Sequence, residues 1–201
     1  SGLSAFKFLK KKNEIYLYDD NKINFKKIQI KKKLISHNKI IKKKIDYIII
    51  SPGININKCQ LSNFLKKNLK KLNTDLDIFF SMYGNNKNVT ITGTNGKSTT
   101  AQIVYEVLRQ EKIDVRVVGN IGNPILSEKN ITNETIFVIE ASSYQLDYSK
   151  IFRANIAVIL NITPDHLERH RSLKNYIRAK FKLIKIQKKE NFAILNTNNF
   201  Y

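Results

Sequence analysis

Acidic side chains are scarce in this 201-residue chain. Sixteen Asp and Glu stand against 36 Lys and Arg, a formal net charge of +20. Cysteine is almost absent. The single thiol, Cys59, excludes an intrachain disulfide framework and a cysteine-based zinc site. Long apolar runs are missing as well. Runs such as Ile48-Ile49-Ile50 fall far short of the ~20 residues that span a bilayer, so no membrane insertion is expected. The first residues, Ser1-Gly2-Leu3-Ser4-Ala5, show no basic segment followed by an apolar one, and no signal peptide is read there. A cytoplasmic setting is expected. With no initial Met, the chain is expected to begin inside a longer protein.

What remains is enough to fold. Hydrophobic residues make up 42% of the chain, which supports a buried core and argues against wholesale disorder. The basic excess invites a nucleic-acid partner. It is carried by lysine among many Ile and Asn, the mark of AT-rich coding sequence, and is uneven: residues 1–83 hold 19 of the 36 cations and 6 of the 16 acids. Clusters such as Lys31-Lys32-Lys33 and Lys42-Lys43-Lys44 read as solvated surface. No helix-turn-helix, zinc-finger or RNA-recognition signature accompanies them, and no nucleic-acid partner is expected.

Hydrophobic periodicity predicts strands at 15–19, 45–50, 89–92, 114–118, 135–140 and 156–161, and another at 192–195. It predicts helices at 4–12, 58–71, 97–110 and 173–187. The helix at 97–110 is expected to present Ile103, Val104, Val107 and Leu108 on one face. Alternation of this kind means an α/β fold with parallel sheet. A looser stretch at 82–87 divides the chain into two expected units, 1–83 and 84–201. The first reads as a Rossmann-like parallel-sheet domain and the second as a truncated P-loop-type ATPase domain.

The strongest chemical signal is Thr92-Gly93-Thr94-Asn95-Gly96-Lys97-Ser98-Thr99, lying between a predicted strand and a predicted helix. Glycines let several N–H groups turn toward one anion, and the helix N-terminus adds its dipole. Lys97 can reach β- and γ-phosphates, and the Ser98 hydroxyl can ligate Mg²⁺. The longer Walker pattern would require glycine at position 91, where this chain has Ile91. The loop is therefore a shorter variant.

Three further segments place polar residues after apolar strands, where parallel sheets present their ligand crevice. Glu140 ends the apolar run 137–139 and is either a Mg²⁺ holder or a cap. His166 follows Asp165 and is either a metal ligand or a neighbour of an ordinary helix cap. Lys180, taken alone, is an unremarked lysine on a basic helix. Asn120 sits in a glycine-bounded turn at 119–124.

Taken together, these segments resemble the Mur ligases. T-G-T-N-G-K-S-T resembles that family's ATP loop. G-N-I-G-N-P (119–124), E-A-S-S-Y-Q-L (140–146), N-I-T-P-D-H-L-E-R (161–169) and Y-I-R-A-K (176–180) resemble its successive signatures. Ser1-Gly2-Leu3-Ser4 is similar to the end of its N-terminal glycine-rich turn, and Ser51-Pro52-Gly53-Ile54 to its S-P-G-I turn. The likeness is greatest to the members that add D-glutamate.

The resemblance implies a set of roles. Gly93, Thr94, Asn95, Gly96, Lys97, Ser98 and Thr99 would bind ATP. Ser98 and Glu140 would hold one Mg²⁺; His166 and a carbamylated Lys180 would hold a second. Lys97, His166 and Lys180 would carry the catalysis. Asn120 and Ser142 would meet the muramoyl substrate, Asp19 its uracil end, and Gly2, Ser51, Pro52 and Gly53 its diphosphate. The implied substrates are UDP-N-acetylmuramoyl-L-alanine and D-glutamate, joined by a monomeric enzyme through an acyl phosphate. The chain is expected to lack the family's C-terminal domain and to be inactive alone. A sibling Mur ligase, a folylpolyglutamate synthase-like ligase, a non-catalytic basic nucleic-acid-binding module and a mechanical P-loop NTPase are the competing readings.

Overall fold

The structure, a computed structural model, describes residues 2–21 and 33–197. Its main feature is a five-stranded, wholly parallel sheet ordered β4-β5-β3-β6-β7. The strands are β3 (Asn88–Thr92), β4 (Val115–Gly119), β5 (Ile136–Glu140), β6 (Ile156–Ile159) and β7 (Phe192–Leu195). Side-chain alternation divides the core between the two faces. Ile91, Val138 and Val158 pack on one face with Ala101 of α5 (Lys97–Gln110). Phe137, Ile139 and Ala157 face the other way. They meet Leu76 and Phe79 of α4 (Asp75–Tyr83), Ala5 of α1 (Gly2–Leu9) and Leu183 of α8 (Leu173–Lys185). Phe79 lies edge-on to Phe137 at 4.7 Å.

Residues before α4 form a smaller layer. Its described strands, β1 (Ile48–Ile49) and β2 (Leu72–Asn73), pair in parallel, and Ile40, Ile50, Leu61, Leu65 and Leu72 form a separate cluster. Here several expectations are corrected. The strand expected at 15–19 makes one bridge, Leu17 to Leu34, because no longer stretch of neighbouring backbone lies beside it among the described residues. The helix expected at 58–71 is α3 (Ser62–Lys67) followed by a 3₁₀ turn at Leu69–Lys71. The amide of Asn68 turns back to the Phe64 carbonyl at 2.9 Å and closes α3. The short helix α2 (His37–Ile40), β2 and α4 were not anticipated.

In the larger layer the expectations fare better. The helix at 97–110 has the expected bounds, but Ile103 and Val107 are more than half exposed, since the sheet covers only the Val104 and Leu108 side. The short helix α6 (Ser143–Tyr148) was not foreseen, and α7 (Leu167–His170) was foreseen only as the alternative in which Asp165 caps a short helix. Of the lysine clusters, Lys33, Lys42, Lys43 and Lys44 are exposed, whereas Lys31 and Lys32 lie outside the described residues. No helix of the described residues is long and apolar enough to cross a membrane.

Candidate active site

Four neighbouring strands end together. Asn120 follows β4, Glu140 closes β5, the 93–98 loop follows β3, and Asn161 lies just past β6. The register locks these ends: Glu140 stands beside both Gly119 and Ile91, and Thr92 beside Ile159. Gly119 (φ +109°) is required here, since a Cβ would collide with the Glu140 carbonyl.

The loop is held from both sides. Asn161 Oδ1 accepts the Thr94 and Asn95 N–H groups at 3.1 and 2.8 Å. The Asn161 amide donates to the Asn95 carbonyl at 3.1 Å. The Thr94 hydroxyl lies 3.0 Å from the phenol of buried Tyr176 on α8. Gly96, at φ +80°, turns the chain into α5. Lys97 Nζ donates to the Thr94 carbonyl at 2.8 Å.

Glu140 is 1% exposed, yet both its oxygens are used. Oε2 accepts the Ser98 hydroxyl at 2.7 Å and Oε1 accepts the Asn120 amide at 3.1 Å. A buried carboxylate aimed at the loop's serine is suited to a hard cation. Ser142, just beyond, caps α6: its hydroxyl accepts the Gln145 N–H at 3.2 Å while Gln145 Oε1 accepts the Ser142 N–H at 3.1 Å.

Lys180 enters from α8 and is 1% exposed. Its Nζ donates to the Gly93 carbonyl at 2.7 Å and lies 3.4 Å from the Thr92 hydroxyl. Burial, aided by repulsion from Lys97 and opposed by Asp165, lowers its pKa to about 7. The bland reading of this lysine is therefore overturned by its burial.

His166 takes a left-handed backbone (φ 53°) at the start of α7. Asp165 accepts the His166 N–H at 2.8 Å, and its other oxygen lies 3.3 Å from the imidazole Nε2. Asp165 thus brackets His166; the helix cap is His166 itself, without a side-chain bond. Tyr144 lies 5.0 Å from the His166 ring and stacks on His170 at 5.5 Å. His170 is buried, sits 3.0 Å from the Ser143 hydroxyl, and has its pKa lowered mainly by burial.

These groups surround a cleft of about 320 Å³, lined by Pro52, Gly53, Gly93, Lys97, Asn120, Ser142, Ser143, Tyr144, His166, Tyr176 and Lys180. Lys97, His166 and Lys180 thus share one cavity, with Glu140 bonded to its rim. Thr94, Asn95 and Gly96 lie in the loop between Gly93 and Lys97, and Ser98 and Thr99 in the first turn of α5, but none of the five is among the lining residues. Gly2, Asp19 and Ser51 are not among the lining residues. Gly2 abuts Ser51, where a Cβ would come 2.9 Å from the Ser51 hydroxyl, and Asp19 accepts the Asn21 N–H at 2.8 Å. Asn161, Tyr176 and His170 were given no role in the sequence. Asn161 and Tyr176 were inside quoted motifs, and the four-residue spacing of His166 and His170 was the signal for the last.

No cluster of three or more His, Cys, Asp or Glu suited to a metal occurs among the described residues. A Mg²⁺ held by one carboxylate, one hydroxyl and substrate phosphates needs no such cluster, and Ser98 with Glu140 fits that type.

A strand–loop–helix phosphate cradle at the carboxyl edge of a parallel sheet, with a buried acid on the adjoining strand, defines a P-loop-type α/β protein. Residues 91–201 match the Mur ligase middle domain, and the chain belongs to the Mur ligase family. It is 38% identical over 211 residues to the UDP-N-acetylmuramoylalanine--D-glutamate ligase of Rickettsia bellii, covering 100% of this chain and 45% of that protein. It is 35% identical over 210 residues to the enzyme of the same name from Caldicellulosiruptor saccharolyticus, covering 99% and 46%. The chain thus spans less than half the length of these curated relatives. Among solved structures, the UDP-N-acetylmuramate:L-alanyl-gamma-D-glutamyl-meso-diaminopimelate ligase of Neisseria meningitides shares the fold at a TM-score of 0.60 and 16% identity, covering 98% of this chain and 68% of that one.

Proposed function

We propose that this chain is the nucleotide-handling part of a cytoplasmic, monomeric ligase. It adds D-glutamate to UDP-N-acetylmuramoyl-L-alanine at the expense of ATP, in peptidoglycan precursor synthesis. The observation that carries this reading is the convergence of Lys97, His166 and Lys180 on one cleft, with Glu140 bonded to Ser98 and to Asn120 of the cleft wall, at the carboxyl ends of adjacent strands. The names of the relatives support the choice of substrate. Residues 1–83 are proposed as the UDP-substrate unit and 84–201 as the ATP unit.

A carboxylate resists attack because its charge repels nucleophiles and oxide is a poor leaving group. In the proposed reaction, the substrate carboxylate oxygen bonds to the γ-phosphorus while the bond to the β-phosphate oxygen breaks. The amino group of D-glutamate then attacks the acyl phosphate, loses a proton, and phosphate leaves with its bonding pair. Two anions must therefore approach each other. The N–H groups of the 93–98 loop and Lys97 draw the terminal phosphate in, and Lys97 exchanges the Thr94 carbonyl for it. Ser98 and Glu140 would hold one Mg²⁺. His166 and Lys180, carrying a carbamate, would hold another. These ions would supply charge neutralisation between phosphate and carboxylate oxygens. Asn120 and Ser142 line the wall where the muramoyl part would lie, with Pro52 and Gly53 toward its diphosphate. Asp19 would serve the uracil end of the nucleotide, and Gly2 and Ser51 would lie near its diphosphate.

Phosphate release by the complete natural polypeptide tests this. D-Glutamate, with ATP and UDP-N-acetylmuramoyl-L-alanine, should trigger release, and other amino acids should not. Lys97→Ala should lower turnover about 100-fold or more, the scale of one preorganised electrostatic contact. Full activity in that variant would refute the role of the loop.

A further inference from the structure

Helix α7 has a single turn, yet its side chains reach three places. His166 faces the cleft, and His170 is buried against Ser143. Arg169 reaches sideways to the turn at 51–54. Its Nη2 donates to the Pro52 carbonyl at 3.4 Å and to the Ile54 carbonyl. The guanidinium also lies over the rings of Tyr144, at 5.0 Å, and Tyr148, at 5.6 Å.

We propose that Arg169 is a positioning residue that clamps the 51–54 turn to the His166 end of the cleft. It would thereby set the distance between the nucleotide-substrate turn and the phosphate loop. The proposal rests on the reading, given above, of 51–53 as the turn that meets the substrate diphosphate.

Three observations carry it. The Ile54 N–H closes the turn on the Ser51 carbonyl at 3.0 Å, and the carbonyls of Pro52 and Ile54 are the ones that Arg169 holds. Arg169 holds two of them with one nitrogen, while its flat face rests on two rings. A lysine cannot reproduce that combination of paired hydrogen bonds and ring contacts. Tyr144, one of those rings, also lines the cleft and lies 5.0 Å from the His166 ring. A single side chain thus touches the substrate turn, the cleft wall and the helix that carries His166. Reacting groups tolerate little misplacement: a shift of about 1 Å can slow a reaction about 100-fold.

The test compares wild type, Arg169→Ala and Arg169→Lys in the complete natural polypeptide. Arg169→Ala should raise KM for UDP-N-acetylmuramoyl-L-alanine about tenfold or more, the scale of losing a charge-assisted hydrogen bond. Arg169→Lys should fall between. The Kd for ATP should stay within about twofold, because no loop contact is removed. An unchanged KM in Arg169→Ala overturns the clamp, as does a parallel loss of ATP affinity, which would indicate general damage. Amide hydrogen exchange gives a second readout that needs no substrate. The Ile54 amide should exchange faster in Arg169→Ala while the Gln145 and Leu146 amides of α6 do not change. If wild type fails to turn over the UDP-linked acid, the substrate reading falls. Unchanged Ile54 exchange would then overturn the clamp separately.

Discussion

Raising the pH from 7 to 10 should act on Lys180 in a way no surface lysine shares. Its ammonium is buried, bonded to one carbonyl and repelled by Lys97, so it loses its proton near pH 7 instead of at the ordinary 10.5. At pH 8 an amine with a pKa of about 7 is about 90% neutral, against roughly 0.3% for an ordinary lysine, a difference of about 300-fold in reactive amine. That is what capture of CO₂ as a carbamate requires, since only the neutral amine attacks carbon. The same shift acts on stability. Below pH 7 both folded and unfolded chains hold this proton, and the penalty of a buried ammonium is fully present. Between 7 and 10.5 the unfolded chain binds more protons than the folded one. Stability should therefore rise with pH there, by at most about 1.4 kcal/mol per pH unit from this group. Carbon NMR of Cε-labelled lysine in the complete natural polypeptide, with Lys180→Met for assignment, should show one titration midpoint near 7. With labelled bicarbonate, a carbamate signal should appear in wild type and be lost in Lys180→Met. A midpoint above 9 would refute the electrostatic reasoning, and a missing carbamate signal would refute the modification.

Glu140→Gln keeps the shape but removes the charge that faces Ser98. It should weaken Mg²⁺-dependent ATP binding roughly 10-fold to 100-fold, while leaving metal-free nucleotide binding unchanged, in calorimetric titrations with and without Mg²⁺. Gly119→Ala forces a side chain into a left-handed position against the Glu140 carbonyl. It should cost about 1–3 kcal/mol in chemical unfolding, and Ala at exposed Ser127, outside the cleft lining, should cost much less.

Much of the larger layer was legible because its strands are continuous apolar runs with polar residues at their ends. Phe137-Val138-Ile139 followed by Glu140 announces both the buried strand and the group at its edge. The smaller layer was harder to read. Ile15 to Tyr18 has strand composition, but a strand is defined by its neighbour, and among the described residues its one bridge joins Leu17 to Leu34. Helix α4 was overlooked although Thr74 and Asp77 form a reciprocal capping box ahead of Leu76, Ile78 and Phe79. Asp77 is engaged more widely still, accepting the N–H groups of Lys150, Ile151 and Phe152 and the Ser149 hydroxyl. No local pattern reveals such a long-range role. For Lys180, the motif supplied the position, but only the packed structure shows that burial makes its amine different from the other lysines.

Sheet order explains why motifs spread from 92 to 180 can act as one site. Crossover connections are needed between parallel strands, so sequence neighbours need not be sheet neighbours. Here β3, the earliest strand of the larger sheet, lies at its centre, between β5 and β6. The 93–98 segment therefore gains Glu140 on one side and Asn161 on the other, and α8 sets Lys180 against Gly93. The arrangement depends on register more than on any single contact. Glu140 pairs beside Ile91, and its side chain shares the face of Val138, toward Ser98 on α5. A slip of one residue in β5 would turn the carboxylate toward Phe79 and Leu76 in the opposite core, where no cation could compensate it. The continuous apolar packing of Phe137, Val138 and Ile139 on both faces is thus what holds the charge in place for its chemistry.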